Sequence, residues 1–306
     1  MTLVCVRLDE SYSTLRLTAL ADTRASVPRP DRSRKTISDT TVKLFAVPVR
    51  CYTPDCLKPV TSAWCNPYFE TLIGLGFSGS CFEGLTIVAH ITQSLGALLA
   101  PDGGKPVPIG EGLVNLIAEL TKGYFAKHSQ DGNPIVQIVV FGFSDERPWV
   151  GKISWDTKSE LNQEFDWATA KTLVCVGEPG LFEQYAQKLR TKIQNHKAQL
   201  NRRTGAAATK DNEAYLPELE SARHDVADKK VVEEAMLKNI ETKFVEGIGG
   251  VLQRLELSLD GHDVFAGFTR DDRPYLDGSS TTVAGDAVLT PVPIVEKMGR
   301  TMRKVQ

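Results

Sequence analysis

The sequence predicts an α+β fold, a four-layer αββα sandwich in which two antiparallel sheets pack face to face and each carries a helix pair outside. Three observations carry this expectation. Strand-like and helix-like segments come in blocks, in the order strands, two helices, strands, two helices, strands. The strand segments either alternate or run almost continuously apolar, as strands covered on both faces do. Each helix-like segment has an apolar stripe at helical spacing, and so one face to bury.

The first block opens with a β-hairpin. Leu3, Val4, Val6 and Leu8 are followed by Leu15, Leu17, Ala19 and Ala21, with the turn residues "DESYST" between them. Residues 27–40, rich in Pro, Ser, Arg and Asp, read as an exposed loop. "VKLFAVPV" (42–49) returns to strand character, and 50–69, with Pro54, Pro59 and Pro67, reads as a long irregular stretch. "TLIGLGFSGS" (71–80) is an apolar strand ending in a Gly/Ser turn. Two helices on the same side of a sheet follow. One covers 82–99, with Phe82, Leu85, Val88, Ile91, Leu95 and Leu98 on one face; the other covers 111–127, with Leu113, Leu116, Ile117, Leu120 and Tyr124.

The second strand block is "VQIVVFGF" (136–143), its hairpin partner "PWVGKISWD" (148–156) and a buried strand "WATAKTLVCVG" (167–177). A third helix begins near Pro179, with Leu181, Phe182, Tyr185, Leu189 and Ile193 at helical spacing. It runs into the charged stretch 196–230, which reads as a solvated helix end and linker. A fourth helix covers 230–244 through Val232, Ala235, Met236, Ile240 and Phe244, and residues 250–268 form two strands around Asp260-Gly261. The organisation expected is one domain over 1–268 with a charged insertion near 196–230, and a C-terminal extension over 269–306 that composition does not assign.

Composition narrows the function classes. The 306 residues are 42% hydrophobic and 24% charged with a net charge of -2, an ordinary globular balance. No basic excess points to nucleic acid, no polybasic block to a membrane surface, and no run is long enough to span a bilayer. The start lacks a charged segment followed by an apolar one, so no secretory signal is expected, and the cysteine usage reads as that of a reduced, cytoplasmic compartment. Cys5, Cys81 and Cys175 sit in apolar segments and read as core residues, while Cys51, Cys56 and Cys65 share a loop-like region at spacings that fit no metal pair. The five histidines are scattered without metal-ligand spacing, so neither a metal nor a cofactor is expected.

Chemistry is suggested first by Thr2. A threonine hydroxyl is a poor nucleophile until a base takes its proton. If Met1 is removed, the new α-amine lies on the same residue as the hydroxyl, with a free pKa of roughly 7.7–8.0 that a neighbouring cation would lower. Small second residues such as threonine permit that removal. Taken alone, Thr2 is equally a first strand residue, Asp22 a turn residue, Lys43 an edge-strand gatekeeper and Gly79 a plain strand-to-helix turn.

Their order along the chain gives them a joint reading. "LADTRAS" (20–26) follows the second strand, Lys43 opens "KLFAVP", and "FSGSCFEG" (77–84) leads into a helix. With Thr2 at the start of the first strand, this resembles the proteasome β-subunits and the simpler bacterial proteasome-like peptidase that works with an ATPase ring, members of the N-terminal-nucleophile hydrolases. "VVFGFSDERPWVGKISWD", "VCVGEPGLFEQY" and "EGIGGVLQRLEL" are similar at the level of pattern, so the resemblance spans about residues 2–268. It implies Thr2 as nucleophile, Lys43 held by Asp22 as the nearby cation, and the Gly79 N–H aimed at the developing oxyanion. It further implies a peptide or unfolded protein as substrate, a homo-oligomeric ring, and an ATPase ring as partner. The alternative is a catalytically silent ring component with a structural or regulatory role.

The chain also departs from the family pattern. "DESYST", 27–40 and 50–69 are longer than usual. Glu178 follows Gly177 where the family has serine. Near the later turn Glu246 stands without the Asp/Ser pair that supports the terminal amine.

Overall fold

The computed structural model describes residues 3–9, 15–28, 34–54, 66–100, 104–127, 136–155, 160–169, 172–177, 248–260 and 263–270, together with single helical positions between 233 and 241 and short strands beyond 272. The third helix expected near Pro179, the insertion 196–230, Cys56, Cys65, Glu178 and Glu246 lie outside the described residues.

The chain opens with β1 (Leu3–Asp9) and β2 (Arg16–Asp22), paired antiparallel with Val4 opposite Ala21 and Asp9 opposite Arg16. A small hairpin follows, β3 (Ala25–Pro28) with β4 (Arg34–Ser38). The loop expected over 27–40 therefore carries strand structure. Its polar composition reflects a two-stranded ribbon with little apolar surface to bury, a pattern that hydrophobic periodicity does not flag. Then come β5 (Leu44–Tyr52), β6 (Phe69–Gly79), helix α1 (Cys81–Leu95), the two-residue β7 (Leu98–Leu99) and helix α2 (Gly110–Lys127). β5 extends through Cys51, which is buried in the strand rather than in an irregular stretch. The remaining main strands are β8 (Val136–Ser144), β9 (Arg147–Trp155), β10 (Leu161–Trp167), β11 (Leu173–Gly177), β12 (Leu252–Asp260) and β13 (Asp263–Arg270).

These strands build two sheets. One runs β11-β1-β2-β12-β13, and short strands after residue 272 add to its β13 edge; the other runs β10-β9-β8-β6-β5-β7. All pairs are antiparallel except β5 with β7. The segment expected as one strand over 167–177 is split: Trp167 ends β10 in the second sheet, and Leu173 begins β11 in the first. The chain crosses between sheets in those few residues. β10 itself escaped the sequence reading because it is an edge strand whose side chains are mostly exposed, so it has no need of apolar alternation.

Period-2 alternation sets the packing. On β1, Val4, Val6 and Leu8 point into the inter-sheet core with Leu17, Ala19 and Ala21 of β2, Leu255 and Leu257 of β12, and Leu44, Leu72, Val139 and Phe141 of the second sheet. Leu3 and Cys5 point the other way and pack with Leu20, Ile248, Leu252 and the helical residues Met236, Leu237 and Ile240. On the second sheet, Ile73, Leu75, Phe77, Val140 and Ile153 face α1 and α2 through Ile87, Ile91, Leu95, Leu113 and Ile117. The result is an αββα-type sandwich: two face-to-face sheets, a helix pair on the outer face of one, and helical residues on the outer face of the other.

α1 departs from expectation in its stripe. Its buried residues are Gly84, Ile87, Val88, Ile91 and Leu95, whereas Phe82 is 71% and Leu85 40% exposed. The helix is rotated so that Gly84 meets β6, because a Cβ there would stand 2.3 Å from the Phe77 ring.

Candidate functional site

Where β2 ends, the chain passes through Asp22, Thr23 and Arg24 before entering β3. Asp22 is fully buried, and its carboxylate is built as an acceptor. Oδ1 accepts the Leu3 amide at 3.1 Å, while Oδ2 accepts the Arg24 amide at 3.2 Å, the Gly249 amide at 3.1 Å and the Lys43 ammonium at 3.2 Å. Among the described residues, these four donors surround it, an arrangement that suits an ionised carboxylate in a buried site.

Lys43 stands immediately before β5 and meets both sheets. Its carbonyl accepts the Phe77 amide of β6 at 3.2 Å, and its own amide donates to Gln253 Oε1 of β12 at 3.0 Å. Its Nζ donates to Asp22 Oδ2 and, at 2.5 Å, to the Arg24 carbonyl. Burial pushes the Lys43 ammonium down from its ordinary range and the Asp22 carboxyl up; their mutual attraction, together with the Gly249 and Leu3 amides on Asp22, works against both shifts. The outcome is a lysine poised nearer to neutrality than a surface lysine, held against the Asp22 carboxylate.

Around this pair the backbone is tied down on every side. Thr23 exchanges backbone bonds with Gly249 and Thr41, and its hydroxyl donates to the Asp39 carbonyl at 2.5 Å and accepts the Val251 amide at 2.8 Å. The Arg24 guanidinium grips both carboxylate oxygens of Asp39, at 2.7 and 3.2 Å. Close approach is what requires glycine here. Gly250 has φ +79, and a Cβ on it would stand 2.1 Å from Thr23 Oγ1 and 2.7 Å from the Asp39 carbonyl.

The Lys43 side chain also lines a small open cleft with Arg24, Ala25, Ser26, Phe77, Gly79 and Cys81. Gly79 ends β6 with φ +106, a conformation side-chain-bearing residues rarely adopt, and Ser80 takes the N-cap position of α1 without a side-chain capping bond. The Cys81 thiol is pushed up by burial, an effect that Lys43 and Thr41 partly offset.

Of the residues predicted from sequence, the structure therefore brings Asp22 and Lys43 into contact and places Gly79 in the same cleft as Lys43. Thr2 lies outside the described residues; its neighbour Leu3 is held by Asp22. Three contributors were missed. The Arg24 carbonyl and the Gly249 amide act through the backbone and leave no residue-type signal. Gln253 did leave one: it is the single amide in the row Gln253, Leu255, Leu257, Leu259, whose other members are apolar. Among the described residues, no three His, Cys, Asp or Glu side chains come together as a metal site.

What the chain defines is thus a two-sheet α+β sandwich with a buried lysine–aspartate pair where the sheets meet, next to the amino end of β1. No family model matches the chain, and no curated protein matches it. Among solved structures it is similar to the Gly-1 mutant of Anbu from Hyphomicrobium sp. strain MC1, at 14% identity over 89% of this chain and 88% of that chain, with a TM-score of 0.48. A likeness at that level says nothing about which residues do chemistry here.

Proposed function

We propose that the chain is a proteasome-like protein of the N-terminal-nucleophile hydrolase fold, with four αββα layers, and that the cleft at Lys43 is its functional site. Two uses of that site follow. One is a catalytically silent component of a ring of like subunits, structural or regulatory, in which the Asp22–Lys43 pair ties the two sheets together. The lysine supports this use, being 2% exposed and held by both Asp22 and the Arg24 carbonyl.

The second use is that of a threonine peptidase, and it requires that Met1 be removed. One observation favours it: Asp22 holds the Leu3 amide on one carboxylate oxygen and the Lys43 ammonium on the other. The carboxylate that fixes Leu3, the first residue of β1, therefore also holds a buried cation that shares a cleft with Gly79. In this reading Lys43 favours a neutral α-amine and a developing alkoxide on Thr2. The Gly79 N–H stabilises the oxyanion, and an extended peptide or unfolded chain is the substrate. The site's own residues supply the chemistry with no cofactor. An ATPase ring as partner and a cytoplasmic location belong to this proposal as well.

Intact mass and labelling separate the two uses. The peptidase requires a chain lacking Met1 that takes up one equivalent of a peptide electrophile on Thr2, and loses that adduct in Thr2→Ala. Retained Met1, or equal labelling of Thr2→Ala, rules out the peptidase and leaves the silent component.

A further inference from the structure

Lys43 has an unusual backbone position. It stands where the β5–β6 pairing begins: its carbonyl accepts the Phe77 amide of β6, and the first register pair is Leu44 with Gly76. A buried backbone donor that loses its acceptor costs about as much as a lost hydrogen bond. For the Lys43 N–H an acceptor comes from the other sheet. Gln253 of β12 faces the inter-sheet core in the row of Leu255 and Leu257, and its side chain is fully buried. Its Oε1 accepts the Lys43 amide at 3.0 Å, and its Nε2 donates to the Thr41 carbonyl at 3.3 Å. The two bonds fix the amide's orientation, since only oxygen can accept from Lys43 and only nitrogen can donate to Thr41.

We infer that Gln253 is a positioning residue for Lys43: a two-point clamp from β12 that holds residues 41–43 where the Lys43 ammonium meets Asp22. This rests on the reading of Lys43 as the cation of the site, and it holds for either use of that site. An apolar residue at 253 would fill the core as well as its neighbours do, yet would remove the bonds to the Lys43 N–H and the Thr41 carbonyl. Glutamate would keep an acceptor for Lys43, lose the donor to Thr41, and bring a second negative charge toward the lysine. Only an amide meets both needs, which is why a polar residue stands in an apolar row.

The test reads Lys43 directly, in the full chain labelled with 13C,15N-lysine. In Gln253→Met, the Lys43 amide exchanges with solvent about tenfold faster, as expected for a buried donor that loses its acceptor, and the Lys43 side-chain resonances move toward those of solvated lysines. In Gln253→Glu the amide stays protected, while the Lys43 titration midpoint rises, since an opposite charge favours the ammonium. Leu255→Ala, one position along the same face, lowers stability without moving either Lys43 signal, which separates positioning from general packing. Unchanged Lys43 signals in Gln253→Met overturn the inference. Should that variant fail to fold, an unmoved midpoint in Gln253→Glu overturns it instead. Asp22→Asn keeps the two failures apart. If it moves Lys43 and the Gln253 variants do not, only the clamp fails; if it leaves Lys43 unmoved, the reading of the site itself fails.

Discussion

Lys43 Nζ and Asp22 Oδ2 lie 3.2 Å apart with side chains 2% and 0% exposed, one carried by each sheet. A pair so enclosed has an asymmetric dependence on its members. Asp22 keeps three backbone N–H donors when the lysine is removed, whereas Lys43 without Asp22 loses the carboxylate that faces its charge.

Asp22→Asn is therefore expected to be the more damaging change, at about 3–5 kcal/mol of unfolding free energy, the usual cost of stranding a buried charge. It also turns a donor toward the Arg24 or Gly249 amide. Lys43→Met should cost less, and the double variant should be more stable than Asp22→Asn alone. Urea denaturation of the three variants checks this; a Lys43→Met loss larger than that of Asp22→Asn would contradict the donor arrangement.

Glycine at 250 is required by both its φ and its neighbours. Gly250→Ala should destabilise by roughly 1–3 kcal/mol, the scale of a strained backbone position held by its surroundings, and should loosen Thr23 and Asp39 together. Gly123 of α2 gives the contrasting case, with nothing within 4 Å of an added Cβ. Gly123→Ala should raise stability by about 0.5–1 kcal/mol as helix-interior entropy is recovered. Thermal unfolding of both variants reads the opposite signs.

The cysteines make a chemical prediction. Burial pushes the Cys51 thiol to about 11, and Cys5 is raised well above its ordinary value by the Cys175 thiol against it and by burial. Thiolate is the reactive form, so both should resist iodoacetamide at pH 8 in the folded chain and react once it is unfolded. Peptide mapping by mass spectrometry gives the rates; alkylation of Cys5 as fast as in the unfolded chain would contradict its place between β1 and the outer layer.

Much of this was legible in the sequence, for identifiable reasons. The first hairpin, β6, β8, β9 and the β12–β13 pair bury apolar side chains at period 2 or continuously, and hydrophobic pattern finds such segments. β10 and the β3–β4 ribbon bury little, so pattern could not find them. α1 was found with Val88, Ile91 and Leu95 facing inward as expected, but Phe82 and Leu85 are exposed, and the close approach of Gly84 to Phe77 carries no hydrophobic letter. Asp22 and Lys43 were legible as a pair only through order along the chain, since they stand 21 residues apart. The Gly249 amide and the Arg24 carbonyl are backbone groups and carry no letter of their own. Gln253 did carry one, an amide in a leucine row, and its meaning needed the other sheet.

The most direct measurement is the titration of the Lys43 side chain by heteronuclear NMR, alongside the stability of the chain across alkaline pH. Lys43 is lowered from the ordinary 10.5 by burial. Between its folded midpoint and that value the unfolded chain binds the extra proton, so this group's contribution to stability rises with pH across the window and is lost as pH falls through the folded midpoint. Predicted is a Lys43 midpoint below those of the solvated lysines, together with a stability increment across that window that disappears in Lys43→Met. A Lys43 that titrates among the solvated lysines, with no such increment, would contradict a buried lysine–aspartate pair at the amino end of β1.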